Sequence, residues 1–99
     1  VNVQVTVEFF GVIRDRIRDP QEVLSLPPGQ KVRDLVERLI QRHGSELRTE
    51  LLAPKGEPLP NVVLTLDGQR IADSRGMDKE IRGDTVLRVL LMPPFTGGG

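Results

Sequence analysis

Only one stretch of this 99-residue chain carries a helical period. Val32, Leu35, Val36, Leu39, Ile40 and His43 recur at three- and four-residue spacing and fall on one face of a helix. Arg33, Asp34, Glu37, Arg38, Gln41 and Arg42 fill the other face, with Asp34–Arg38 and Glu37–Gln41 one turn apart. Gly44 stands where a helix stops. At the start stands Lys31, where Ser, Thr or Asp would be preferred, so the first turn lacks an evident cap. A short helix with one apolar face needs something to lie on, and the rest of the chain must supply it.

The rest reads as strands. Val3, Val5, Val7 and Phe9 alternate with Asn2, Gln4, Thr6 and Glu8, the period of a strand with one dry and one wet face. Phe10 falls on the wet face and Gly11 relaxes the pattern. The stretch Arg14–Asp19 mixes both charges and reads as a solvated turn; Gln21 to Leu26 is a second strand, stopped by Pro27-Pro28-Gly29. After the helix, Ser45 to Leu52 allows one more helical turn, with Pro54 and Pro58 forbidding a longer one. Val62, Leu64 and Leu66 share a strand face, Asp67-Gly68 is a tight turn, and Gln69 to Ala72 is a short return strand. Asp73 to Ile81 reads as irregular, and Gly83-Asp84 is a second turn. In the last strand, Thr85 to Met92, Leu87, Val89 and Leu91 face one way and Val86, Arg88, Leu90 and Met92 the other. The sum is an α+β fold: a four- to five-stranded sheet with one main helix packed on one face and the other face open. It divides into a folded body, residues 1–92, and a tail, residues 93–99.

Composition narrows the function. Lys+Arg and Asp+Glu number 14 each and balance within each half, eight of each sign in residues 1–50 and six of each in 51–99. Electrostatic capture of nucleic acid or of a membrane surface is therefore not expected. There is no Cys and one His, which leaves no thiolate nucleophile and no set of metal ligands. No membrane span and no signal peptide is legible, so a cytoplasmic protein is expected.

The tail, Pro93-Pro94-Phe95-Thr96-Gly97-Gly98-Gly99, carries no charged side chain. Three glycines admit two readings, a frayed or appended end or a thin probe. The second accounts for a stiff Pro-Pro base running straight on from a core strand and for an apolar Phe95 where no core can be. Without a Cβ, the tip could enter a narrow channel in a partner and place the Gly99 carboxylate there. A carboxylate becomes an electrophile once ATP converts it to an acyl-adenylate. This chain has no phosphate-binding glycine loop to do that, so a separate enzyme must.

The opening strand with Phe9-Phe10 and Val12 to Arg14, the Val32-Arg33-Asp34-Leu35 helix, the Gly83-Asp84-x-Val turn and the ending Pro93-Pro94-Phe95-Thr96-Gly97-Gly98 resemble the small subunit of molybdopterin synthase, nearly end to end. The resemblance, of MoaD/ThiS type, implies the β-grasp fold of ubiquitin, with first and last strands side by side and parallel. It also implies a sulfur carrier. A ubiquitin-activating-enzyme-like adenylyltransferase, using ATP, would form the acyl-adenylate, and a sulfur donor protein would turn it into a thiocarboxylate. The large synthase subunit would take up the tail, with Gly99 as the reactive carbonyl and Gly97 and Gly98 as the stalk. The chain would hold no cofactor and would be a non-catalytic subunit, not an enzyme alone. The family ends in two glycines where this chain has three, and the 53–62 loop is unusually long and Pro-rich. A ubiquitin-like modifier joined through Gly99 to lysines uses the same tail, as does a carrier for thiamin, cysteine or tRNA thiolation.

Independently of the resemblance, Phe10, Val63, Leu90 and Met92 fall on the wet faces of the first, third and last strands. If those strands are neighbours they form an apolar patch beside Pro93, Pro94, Phe95 and Thr96, the expected partner-binding surface, unless Leu52 or the 53–60 loop covers it. His43 reads as a helix-end residue rather than a catalyst, and Asp67 and Asp84 as turn residues.

Overall fold

A computed structural model describes residues 1–11, 17 and 21–93. The Arg14–Asp19 turn, Ile17 apart, and Pro94, Phe95, Thr96, Gly97, Gly98 and Gly99 lie outside these residues. The described elements are β1 (Val3–Gly11), β2 (Gln21–Leu26), β3 (Gln30–Lys31), α1 (Val32–His43), α2 (Glu46–Leu51), β4 (Val62–Leu66), β5 (Gln69–Ile71), α3 (Ser74–Met77), β6 (Glu80–Ile81) and β7 (Thr85–Leu91).

Five strands form one mixed sheet in the order β2-β1-β7-β4-β5. β1 runs antiparallel to β2 and parallel to β7, and β7 runs antiparallel to β4. Alternation decides which side is dry. Val3, Val5, Val7 and Phe9 of β1, Val62, Leu64 and Leu66 of β4, and Leu87, Val89 and Leu91 of β7 are all buried. They meet Val32, Leu35, Val36, Leu39 and Ile40 of α1 in one core. Each such side chain removed from water contributes about 1.5–3 kcal/mol, so a one-residue slip of any central strand would turn its apolar set outward. That fixes the register.

The first turn of α1 is capped after all, by a residue inside the helix. Asp34 Oδ2 accepts the Lys31 N–H at 2.9 Å, reaching back as the acidic member of a capping box does. The Val32 N–H donates to the Lys79 carbonyl at 2.9 Å, which ties the helix start to the approach of β6. At the other end Gly44, with φ 110°, donates its N–H to the Ile40 carbonyl.

The segment Asp73 to Ile81, expected to be irregular, holds α3 and β6. Asp73 Oδ1 accepts the Gly76 N–H at 2.8 Å and caps α3, and Met77 is buried. β6 pairs with β3 in a second, two-stranded sheet. Strands of two residues are too short to display a period, which is why the sequence hides them.

Candidate functional site

The site is built around the end of β7, where the chain leaves the sheet. Leu90 is opposite Phe10 across the parallel β1–β7 pair and opposite Val63 across the antiparallel β4–β7 pair. Phe10, Leu90 and Val63 thus line up across three adjacent strands on the face away from α1. Phe10 is 39% exposed, while Val63, Leu90 and Met92 are half-buried. The expected adjacency holds, and Leu52 and Leu59 pack against the core.

The next row toward the middle of the sheet is polar. Glu8, Arg88 and Thr65 are paired in register, and Arg88 Nε donates to Glu8 Oε1 at 2.8 Å. The apolar row is therefore bounded by an ion pair on one side and by Met92 and the exposed Pro93 on the other. An apolar centre with a polar rim is how protein–protein contacts are commonly composed.

Two residues at this end were not singled out from the sequence. Gly11, opposite Leu91 at the end of β1, has φ 81°. Asn61 accepts the Met92 N–H with its backbone carbonyl at 2.9 Å and donates from Nδ2 to the Met92 carbonyl at 2.8 Å. The signal for Asn61 was available: once β4 and β7 are paired antiparallel with Val62 opposite Leu91, the next pair is Asn61 with Met92. The 53–62 loop, which contains Asn61, is ordered by its own bonds. Ala53 donates to the Glu57 carbonyl, Gly56 to that of Ala53 and Leu59 to that of Leu51, while Leu52 bridges Pro58.

The other candidate groups are structural. His43 Nε2 is 3.0 Å from Glu22 Oε1, and its ring stands edge-on to Phe9 with centroids 5.6 Å apart. Arg42 reaches the second oxygen of Glu22 at 3.3 Å, so α1 and β2 are stapled at one carboxylate. An open pocket of about 410 Å³ beside them is lined by Ile17, His43, Gly44, Ser45 and Leu47. Asp84 Oδ1 accepts the Gln4 N–H at 2.9 Å, and Asp67 Oδ1 accepts the Val86 N–H at 2.9 Å. The Asp67 carboxyl is held below the usual carboxylate range by the neighbouring Thr85 hydroxyl, which is buried and makes no hydrogen bond of good geometry among the described residues, and by the Val86 N–H, whose bond at 2.9 Å is the firmer support. Among the described residues no group of three His, Cys, Asp or Glu side chains could hold a metal ion, and no helix is long and apolar enough to cross a membrane.

A mixed five-stranded sheet with its first and last strands parallel at the centre and a helix across one face defines the ubiquitin-like β-grasp class. The sequence matches the model of the ThiS family over residues 7–98, and the chain belongs to that family of ubiquitin-like sulfur carriers and modifiers. No curated protein matches it in sequence. Among solved structures it is similar to a putative molybdopterin converting factor, subunit 1, from Pyrococcus furiosus, at 24% identity and TM-score 0.70, covering 92% of this chain and 99% of that one. It is also similar to small archaeal modifier protein 1 of H. volcanii, at 12% identity and TM-score 0.74 over 92% of this chain and 99% of that one. Urm1 from Trypanosoma brucei aligns with TM-score 0.76 at 14% identity, over 96% and 97% of the two chains. At these identities the likenesses speak to the fold.

Proposed function

We propose that the chain is a sulfur carrier for molybdopterin synthesis whose cargo rides on its terminal glycine, Gly99 in this sequence. A ubiquitin-activating-enzyme-like adenylyltransferase joins the carboxylate to AMP from ATP and releases pyrophosphate. The terminal sulfur of a donor protein's persulfide attacks the acyl carbon, and AMP leaves with the electron pair of the broken C–O bond. A thiol then cleaves the S–S bond of the acyl disulfide, is itself oxidised to a disulfide, and leaves the thiocarboxylate. The large subunit of molybdopterin synthase accepts Gly97–Gly99 in a narrow channel and docks on Phe10, Val63, Leu90, Met92 and the Pro93–Thr96 segment. The ATP belongs to the partner, and this chain binds no cofactor of its own.

The observation that carries this reading is the family match running through residue 98, into the tail that follows the central strand. Likeness to a molybdopterin converting factor subunit favours the pterin branch. The test is the intact mass of protein taken from its own cells, with and without a thiol-alkylating reagent. A thiocarboxylate adds about 16 Da, as methionine oxidation also does, but only the sulfur is alkylated. With no Cys in the chain, an adduct on the terminal peptide locates sulfur at Gly99. An unalkylated population with Gly99 joined to lysines of other proteins would instead establish the modifier reading. Likeness to a small archaeal modifier protein keeps that reading in play.

A further inference from the structure

The way the chain leaves the sheet is set by very few atoms. Through Leu91, β7 is held on both sides, by Gly11 of β1 and Val62 of β4. Met92, among the described residues, is held by Asn61. In an antiparallel ladder the two bonds of such a pair come from the two backbones. Here the Met92 N–H supplies the first, and the second comes from the Asn61 side-chain amide.

The bond to the Met92 carbonyl has consequences along the chain. Because the peptide unit is planar, gripping that oxygen fixes ψ of Met92 and with it the plane of the Met92–Pro93 bond. The Pro93 ring fixes the next φ near −65°, and the proline after it confines the Pro93 ψ to the extended range. Three successive dihedrals are then set, one by the Asn61 amide and two by covalent structure. Pro93 has no N–H with which to add a further ladder bond.

Asn61 is itself a firm support. The Val62 N–H donates to the Leu59 carbonyl at 2.9 Å, closing a turn with Pro60 at its second position, where the ring presets φ. The Leu59 N–H donates to the Leu51 carbonyl at 2.9 Å, which joins that turn to α2.

We propose that Asn61 is the positioning residue of the tail: its amide holds the Met92 carbonyl and so sets the direction in which the chain leaves the sheet at Pro93. This rests on the carrier reading for its use, since a glycine tip entering a narrow channel reacts only when presented along the channel axis. Misplacement of about 1 Å can cost two orders of magnitude in rate. The amide acts through Met92 and touches no reacting atom.

The test compares the full-length wild type with Asn61→Ala and with Asn61→Asp, which has nearly the same shape but no donor. In the free protein, aligned in bicelles, the Cα–Hα residual dipolar coupling of Pro93 should fit the alignment of the folded body in the wild type and depart from it in both variants, while couplings from β1, β4 and α1 stay unchanged. In the second arm, ATP–pyrophosphate exchange is measured with the adenylyltransferase that activates the wild type. There kcat should fall roughly tenfold in both variants, with KM within about twofold. A Pro93 coupling that fits the body equally well in the variants overturns the inference, as does an unchanged kcat. A wild type that no adenylyltransferase activates would count against the carrier reading instead, and the dipolar couplings would still decide whether Asn61 aims the tail.

Discussion

Gly11 and Leu91 approach each other so closely across the parallel centre of the sheet that a Cβ on Gly11 would stand 2.2 Å from the Leu91 carbonyl oxygen. The obstacle is backbone and cannot rotate away, and the positive φ of Gly11 adds a second penalty for any L side chain. Gly11→Ala is expected to cost about 2–4 kcal/mol. In a domain of this size that lowers Tm by roughly 10–25 °C. A thermal melt within about 3 °C of the wild type, less than the shift expected for about 1 kcal/mol, would show that the strands separate at little cost.

Phe9 and Phe10 are neighbours with opposite fates, one 1% exposed in the core and the other 39% exposed on the open face. Phe9→Ala should destabilise the fold by about 3–5 kcal/mol. Phe10→Ala should change stability by less than about 1 kcal/mol. It should nevertheless weaken binding to the adenylyltransferase or the large synthase subunit by about 5- to 50-fold, the effect of truncating an anchoring aromatic. Calorimetric titration beside a denaturant melt separates the two. Equal losses of binding and stability for Phe10→Ala would remove the open face from the interface.

Asp67 has a folded-state carboxyl held below its ordinary value, so its contribution is present above the unfolded value and is lost as pH falls through the lower folded one. Asn is the apt replacement, because position 67 has φ 50° and Asn tolerates that region as Asp does. Wild type should melt above Asp67→Asn at neutral pH, and the gap should narrow as the pH falls through the lowered folded value of the Asp67 carboxyl. A gap that persists unchanged at about pH 2 would mean the charge contributes nothing.

Asp34 caps α1 from within, so Asp34→Ala should cost about 0.5–2 kcal/mol, although the residue is exposed. Asp34→Asn keeps an acceptor and should recover part of the loss. Urea midpoints for the two variants check the order.

The architecture was legible because Val3, Val5, Val7 and Phe9, the 62–66 alternation and the Val32–His43 period all point to one dry layer, and each requires the others. The apolar row was legible for the same reason: where alternate residues must face the core, Phe10, Val63 and Leu90 are left on the other side. What escaped was carried by single hydrogen bonds. The Asp34 cap, the Asp73 cap and the Asn61 grip on Met92 depend on which backbone groups come within 3 Å, and no periodicity encodes that. The β3–β6 pair escaped because its register is set by chain segments about fifty residues apart.

The strand that leads into the tail lies in the middle of the sheet, not at its edge, and this determines how the protein bears a load. A partner that pulls on the tail pulls along β7. The ladders to β1 and to β4 are then strained together, in shear, instead of opening one bond at a time from a free edge. Shear of two ladders at once asks for many bonds to fail in a single event, and the rate of forced unfolding follows that barrier. Pulled from this end, the body resists as a handle that does not unravel.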